Sequence, residues 1–287
     1  MLIVTGATGQ LGRRIVEHLL QHVPAERIGV SVRDPDRAGD LMRAGVRVRR
    51  GDYDDPDSLR HAWNGAERIL LVSSNAAAKG GDPLKQHRAA IGVARELGVG
   101  RVLYTSQVSC ALDSHFPPGR DHAATEKMLA DSGLPWTSLR HGFYAASAVA
   151  MNANGLEAGT LTGPEDGKVA WTTHDDLAAA DAILLARGET FDGPTPPLTG
   201  SEALDLADLA RLATDVLGRP IAREIVEEDS MERHARENGI PEGAIAVMLG
   251  YFRAARAGEF DRVDPTLAQL LGRAPTRMRE FLATVQG

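Results

Sequence analysis

The stretch TGATGQLG, Thr5 to Gly12, places glycines at 6, 9 and 12, directly after the apolar run Leu2-Ile3-Val4. The chemistry open to such a stretch is anion binding. A strand that turns straight into a helix leaves backbone N–H groups unpaired at the helix start, and the helix dipole adds positive charge there. Gly6 permits the tight turn, Gly9 lets a pyrophosphate approach the backbone, and Gly12 lets the helix pack closely on a sheet. The run before and the amphipathic pattern after, with Leu11, Ile15 and Leu19 on one face, separate a dinucleotide site from a merely Gly-rich turn.

The spacing is GxxGxxG, not the GxGxxG of typical dehydrogenases. The next strand speaks to the choice of dinucleotide. An NAD site usually ends that strand with Asp or Glu, which holds the ribose 2′-hydroxyl. Here the sequence reads VSVRDPDRA, with Arg33 at the strand end and Arg37 one helical turn later. Guanidinium groups fit a 2′-phosphate as a fork, so NADP(H) is expected over NAD(H). The alternative is that Arg33 pairs with Asp34 or Asp36 and the adenosine end is unselective. Asp52, in RGDYDD, either reaches the adenine amine or caps its own turn.

These residues need elements to position them. Leu2–Val4, Ile28–Val32, Val46–Val48, Ile69–Val72, Val102–Tyr104 and Trp136–Leu139 read as strands. They are short and nearly all apolar, as strands covered on both faces are. Helical patterns lie between: Ala89, Val93 and Leu97 share a face of one, and Asp121–Ser132 forms another before Gly133 and Pro135. The alternation predicts an α/β fold, a Rossmann-like, doubly wound parallel sheet. After about residue 145 the rhythm changes. The predicted division is a dinucleotide-binding domain over 1–149 and a smaller, mixed, mostly helical substrate domain over 150–287, with room for the chain to return to the sheet within it. A helix follows Thr173, GPTPPLTG holds at most an edge strand, and Asp205–Leu217 is a helix ended by Gly218.

Composition narrows the function. The 287 residues carry a formal net charge of −7, which disfavours a nucleic-acid binder working through bulk charge. No apolar run approaches the roughly 18 residues of a membrane span, and no signal peptide is read at the start. Cys110 is the single cysteine and the nine histidines show no metal-binding spacing, so neither a disulfide nor a metal is expected. The expected setting is the cytoplasm, without nucleic-acid or membrane partners, as a monomer or homodimer.

In order along the chain come TGATGQLG, VRDPDRA, GDYDDPDSL, LLVSS, QH, YTS, HAATEKMLADSG and LRHGFY, then LTGSEALDLADLARLATDVLGRPI and a closing GEFDRV…LLGRAPTRMREFL. With these the chain resembles the NmrA-like branch of the atypical short-chain dehydrogenases/reductases. Within it, the likeness is to bacterial NAD(P)H:quinone oxidoreductases and to triphenylmethane (triarylmethane dye) reductases. The resemblance implies that Gly6, Thr8, Gly9, Gln10 and Leu11 wrap the pyrophosphate and that Arg33 and Arg37 hold the adenosine phosphate. It implies that Ser73 and Ser74 line the ribose, and that Thr105, Ser106, Arg140, Gly142, Phe143 and Tyr144 lie around the nicotinamide.

Typical short-chain members use a Tyr-x-x-x-Lys pair to donate a proton as hydride arrives. The equivalent helix here offers His122 with Glu126, or Ala123 with Lys127, and neither is that pair. A quinone needs less help, because hydride addition gives a stable aromatic anion that water can protonate. A cationic triarylmethane dye needs no proton at all. The expected activity is therefore NADPH-dependent hydride transfer to a quinone or similar flat conjugated small molecule. The alternatives are an NAD(P)-sensing regulator without turnover and a dedicated biosynthetic tailoring reductase. His122 and Tyr144 are the catalytic candidates. His122 either donates to an acceptor oxygen or pairs with Glu126 on a solvated face. Tyr144 and Phe143 stack on a flat ring or pack in a core. Trp171, Tyr251 and Phe252 either wall the substrate domain or, as expected, pack in a core; Cys110 either lies near the cleft or, as expected, is a buried structural thiol; and His87 is expected on a helix under the sheet edge.

Overall fold

The computed structural model describes residues 1–188 and 191–285. The chain packs as two compact units: Met1–Ser106 with Asp121–Arg140 and His174–Pro196, and Gln107–Arg120 with His141–Thr173 and Pro197–Gly287. Along the chain the elements are β1 (Leu2–Thr5), α1 (Gln10–Leu19), β2 (Ile28–Val32), α2 (Gly39–Arg43), β3 (Arg47–Arg50), α3 (Pro56–Trp63), β4 (Arg68–Leu71), α4 (Pro83–Glu96), β5 (Arg101–Gln107), α5 (Pro117–Asp131) and β6 (Trp136–His141). There follow α6 (Ala145–Met151), α7 (Ala153–Ala158), β7 (Thr160–Gly163), α8 (His174–Arg187), β8 (Gly193–Pro194), α9 (Leu206–Leu217), β9 (Ala222–Ile225), α10 (Glu228–Glu237), α11 (Glu242–Arg256), α12 (Thr266–Leu271) and α13 (Met278–Thr284).

Among the described residues, seven strands form one sheet in the order β3-β2-β1-β4-β5-β6-β8. It is a parallel, Rossmann-like sheet: Leu2 pairs with Ile28 on one side of β1 and with Arg68 on the other. Strand order reverses between β1 and β4, so the carboxyl ends at Thr5 and Leu71 flank the switch point where such sheets bind ligands. Ile3, Leu59, Trp63, Ile69, Leu71, Ile91, Val102, Tyr104 and Leu129 form a core on the sheet. The alanine-rich α8 lies against α1, where Leu11, Ile15 and Leu19 are all buried.

Some details depart from the sequence reading. β3 runs over Arg47–Arg50, not Val46–Val48, because it is an edge strand whose residues are half-buried and arginine-rich. In α4 the buried positions are His87, Ala90, Ile91, Val93 and Ala94, whereas Leu97 is exposed, so the face expected at Ala89, Val93 and Leu97 is turned. α5 begins at Pro117, four residues before the expected start. GPTPPLTG does supply an edge strand, β8, parallel to β6.

In the second unit β7 and β9 form a two-stranded parallel sheet. Its core joins Phe116, Trp171, Leu209, Tyr251, Phe252 and Phe260. α9 starts with Asp205 and Asp208 in a reciprocal capping box and ends at Gly218 in the left-handed region. No helix among the described residues is long and apolar enough to cross a membrane.

Candidate functional site

The turn after β1 is built by its glycines. Gly6 has φ of +61°, and its N–H donates to the Ser31 carbonyl of β2 at 3.1 Å. A β-carbon at Gly12 would stand 2.4 Å from the Gly6 carbonyl oxygen, so α1 can pack this closely on the turn only with glycine there. Gly9 is exposed and open, with the Gly6 oxygen at 3.3 Å the sole atom near a β-carbon built on it. Helices α3, α4 and α9 start under the side chains of Asp55, Asp82 and Asp205. α1 has no side-chain cap and no acidic residue in its first turn. The N–H groups of Gln10 and Leu11 thus meet neither a capping oxygen nor a negative charge, while Thr8 lies half-buried beside them.

Arg33 and Arg37 stand exposed just beyond β2 and have no ion-pair or hydrogen-bond partner among the described residues. The Asp34 carboxylate instead accepts the Asp36 N–H at 3.2 Å. Asp52 caps its own turn, its Oδ1 accepting the Asp54 N–H at 3.1 Å.

Hydrogen bonds lace the strand ends together. The Val72 N–H donates to Thr5 Oγ1 at 2.8 Å, Thr5 shares a 2.6 Å bond with Tyr53, and Tyr53 donates to the Val72 carbonyl at 2.8 Å. Burial pushes the Tyr53 phenol pKa upward, against the Thr5 bond, so it stays a donor. The Ser73 N–H donates to Thr105 Oγ1 at 2.8 Å, joining β4 to β5. The Ser74 N–H donates to His87 Nε2 at 2.8 Å. That fixes the tautomer: Nε2 accepts, so Nδ1–H donates to Thr125 Oγ1 at 2.9 Å, and Thr125 donates to the Asp121 carbonyl at 2.8 Å. The Ser74 hydroxyl donates to Gln86, whose amide donates to Asp54 at 2.6 Å.

His87 is 2% exposed, and burial depresses its pKa to about 4, against a smaller raising effect of Asp82. The unfolded chain therefore binds this proton first as pH falls. Stability should be full above 6.5 and decline towards pH 4, by about 2–3 kcal/mol. Urea midpoints measured across that range check it, and His87→Gln should flatten the slope.

At the ends of β5 and β6 sits an ion pair between a buried Glu126 and a half-buried Arg140. Glu126 on α5 receives Arg140 Nη2 at 2.7 Å and Nε at 3.2 Å, with the hydroxyls of Ser138 at 2.6 Å and Ser106 at 2.8 Å. Burial alone would raise the Glu126 pKa, but the bonds from Arg140, Ser138 and Ser106 carry it below the usual carboxylate range. His122, one turn earlier, lies with Nδ1 2.8 Å from the Tyr104 hydroxyl.

The sheet unit thus holds the residues expected around the pyrophosphate, the adenosine phosphate and the ribose, with Thr105, Ser106, His122 and Arg140. The hydroxyls of Ser74, Thr105 and Ser106 bond to protein groups and brace the strand ends, while the Ser73 hydroxyl has no protein partner among the described residues. Gly142, Phe143 and Tyr144 belong to the other unit. A β-carbon at Gly142 would meet Thr172 Oγ1 at 2.3 Å, and Phe143 packs edge-on against Trp171, Tyr251 and Phe260. Tyr144 is half-buried at the start of α6. Cys110 is half-buried, not buried, because it lines an open cavity of about 310 Å³ in that unit with Ser114, His115 and Glu259.

Residues 6–185 match the NAD(P)H-binding family model. The chain is 36% identical to quinone oxidoreductase 2 of Escherichia coli K12 over 99% of its own length and 98% of that protein's. The E. coli NADPH-dependent quinone oxidoreductase QOR2, solved with NADPH, superposes with a TM-score of 0.91 at 34% identity over 100% of both chains. An NmrA-like family domain-containing oxidoreductase of Aspergillus flavus is 31% identical over 97% of this chain and 92% of that protein. The triphenylmethane reductase of Citrobacter sp., solved with NADP(H), gives a TM-score of 0.86 at 29% identity over 99% of both chains.

The chain belongs to the NmrA-like, NAD(P)H-binding family. At the level of reaction class it is an NAD(P)H-dependent reductase related to quinone oxidoreductase 2 and to dye reductases. The residues of this NmrA-like chain fit a dinucleotide: a helix start without a cap, an open glycine beside it, and two guanidinium groups one strand away that have no partner among the described residues. Sequence reasoning assigned no site role to Tyr53, Gln86, Tyr104, Thr125 or Glu126, although each lies in or beside a stretch that carried the resemblance. What it lacked was their long-range partners.

Proposed function

We propose that this chain is an NADPH-dependent reductase of quinones and similar flat, conjugated acceptors. The observation that carries the cofactor choice is the pair Arg33 and Arg37, exposed and unpartnered at the end of β2, where a ribose 2′-phosphate would meet a guanidinium fork. The dinucleotide supplies hydride when bound. The first-turn N–H groups of α1 hold its pyrophosphate and Ser73 faces its ribose. Tyr53, Thr5, Thr105 and His87 keep the strand ends rigid beneath it. Glu126, held ionised by Arg140, has no proton to give, which leaves His122 and Tyr144 as the candidate polar groups for the acceptor. A site without a tyrosine–lysine donor suits an acceptor that becomes a stable anion. The kinship with a quinone oxidoreductase and a triphenylmethane reductase supports the same acceptor class.

The test is oxidation of NADPH and, separately, NADH with a benzoquinone, a naphthoquinone and a triarylmethane dye, beside a titration of cofactor binding. NADPH should be preferred. Arg33→Ala should raise the KM for NADPH about 10- to 100-fold, the loss of one charge-assisted fork, and leave that for NADH unchanged. Tight NADPH binding without turnover on any acceptor would instead mark a cofactor-sensing protein.

A further inference from the structure

Two arginines select a 2′-phosphate best when the turn that carries them keeps a fixed distance from the helix start that holds the pyrophosphate, because one dinucleotide must reach both. Within the turn the hold is local. Pro35 opens a single 3-10 turn, Pro35–Ala38, the Asp34 carboxylate accepts the Asp36 N–H, and Ala38 and Leu41, at its end, are buried. Among the described residues, one hydrogen-bonded side-chain pair ties this segment to α1. Arg13, in the first turn of α1, donates from Nη1 to Asp40 Oδ1 at 3.1 Å, with Nη2 against Oδ2. Asp40 is the second residue of α2, which follows the turn directly. Glu17, one helical turn on, takes Arg13 Nε at 2.8 Å, so the guanidinium plane is fixed from two sides.

We propose that Arg13 and Asp40 are positioning residues for cofactor choice: the pair holds the turn bearing Arg33 and Arg37 at a set distance from the start of α1, so that a 2′-phosphate and a pyrophosphate are gripped together. The inference rests on the NADPH reading above. A ligand with two anionic groups gains fully from two grips only when their spacing is already set. Otherwise binding must first order the turn, and the second grip adds less. NADH has no 2′-phosphate and uses one grip, so the tie acts on the ratio of the two affinities. The pair is partly exposed, and such a pair adds little to global stability, which separates its role from folding.

The opposite charges of the two residues separate position from electrostatics. Removing a cation near a phosphate weakens its binding by charge alone, and removing an anion strengthens it. If the pair acts by position, Arg13→Ala and Asp40→Ala move the same way. Each should lower the ratio of NADPH to NADH affinity about 3- to 10-fold in a fluorescence titration, and the double variant should lower it no further. Arg13→Lys, which keeps the charge and one bond to Asp40, should recover part of the ratio. Urea midpoints should match the wild type. A higher ratio in Asp40→Ala, unchanged ratios in both single variants, or losses that add in the double variant would overturn the proposal and leave the NADPH reading in place. Equal affinities for NADPH and NADH in the wild type would remove that reading, and the proposal with it.

Discussion

Glu126→Ala should destabilise the protein by about 1–3 kcal/mol, the cost of taking the acceptor from two buried hydroxyls and a carboxylate from the half-buried Arg140. Glu126 is 7% exposed, and removing its side chain takes one carboxylate contact from Arg140 and the acceptor from Ser106 and Ser138 together. Glu126→Gln keeps an oxygen for the two hydroxyls and should cost less. Replacing both Glu126 and Arg140 by leucine should restore most of the loss, because the pair as a whole repays little more than its own desolvation. Urea unfolding of the four proteins decides it, and a loss below about 1 kcal/mol for Glu126→Ala would sink the argument. The pH sign is separate. Since the folded pKa of Glu126 is lowered, its contribution is complete above the ordinary carboxylate value and fades as pH falls through the lower, folded one. His87 begins to lose its share already below 6.5. Acid unfolding should therefore show two stages, and His87→Gln should erase the upper one.

The parts of this fold that were legible in sequence are those whose cause is local. β1, β2, β4 and β5 announce themselves as apolar runs because both faces of each are covered. The edge strand β3, Arg-Val-Arg-Arg, shows only in part, as Val46–Val48 with shifted bounds, since its exposed side carries charge. The glycine turn is legible because backbone sterics depend on three residues alone. The face of α4 was misread because a polar residue, His87, occupies its most buried stripe, and no hydropathy pattern counts histidine as core. The hydroxyls of Ser74, Thr105 and Ser106 stand at strand ends, where alternation cannot say whether they turn to a ligand or to the protein. They turn to Gln86, Ser73 and Glu126, partners 12, 32 and 20 residues away. Phe143 reads either as a stacking ring or as core; its ring contacts with Trp171, Tyr251 and Phe260, from distant segments, pack it half-buried against the core, which no local pattern shows.

Gly12→Ala and Gly9→Ala should separate what holds the glycine turn from what it holds. The β-carbon at Gly12 would stand 2.4 Å from the Gly6 oxygen, 2.8 Å from its carbonyl carbon and 3.1 Å from the Ala7 α-carbon. These are backbone atoms that cannot rotate aside, so α1 must lift off the turn. The shift reaches further, because Gly6 is bonded to Ser31 of β2 and a β-carbon built on it touches Val72 at 3.5 Å. The intrinsic gain of alanine in a helix, about 1 kcal/mol, is outweighed by overpacking of about 1–3 kcal/mol. Gly12→Ala should therefore lose stability and, with the helix start displaced, at least about tenfold in NADPH affinity. Gly9 differs in kind. Its φ of −90° and ψ of 170° suit any residue, and only the Gly6 oxygen at 3.3 Å comes near a β-carbon. Gly9→Ala should leave unfolding within about 0.5 kcal/mol of wild type. Its methyl group projects instead into the open space beside the first turn of α1, where a pyrophosphate must touch the backbone, so affinity alone should fall. Urea unfolding and NADPH titration of both variants make the comparison. Wild-type affinity in Gly9→Ala would remove the pyrophosphate from that side of the turn.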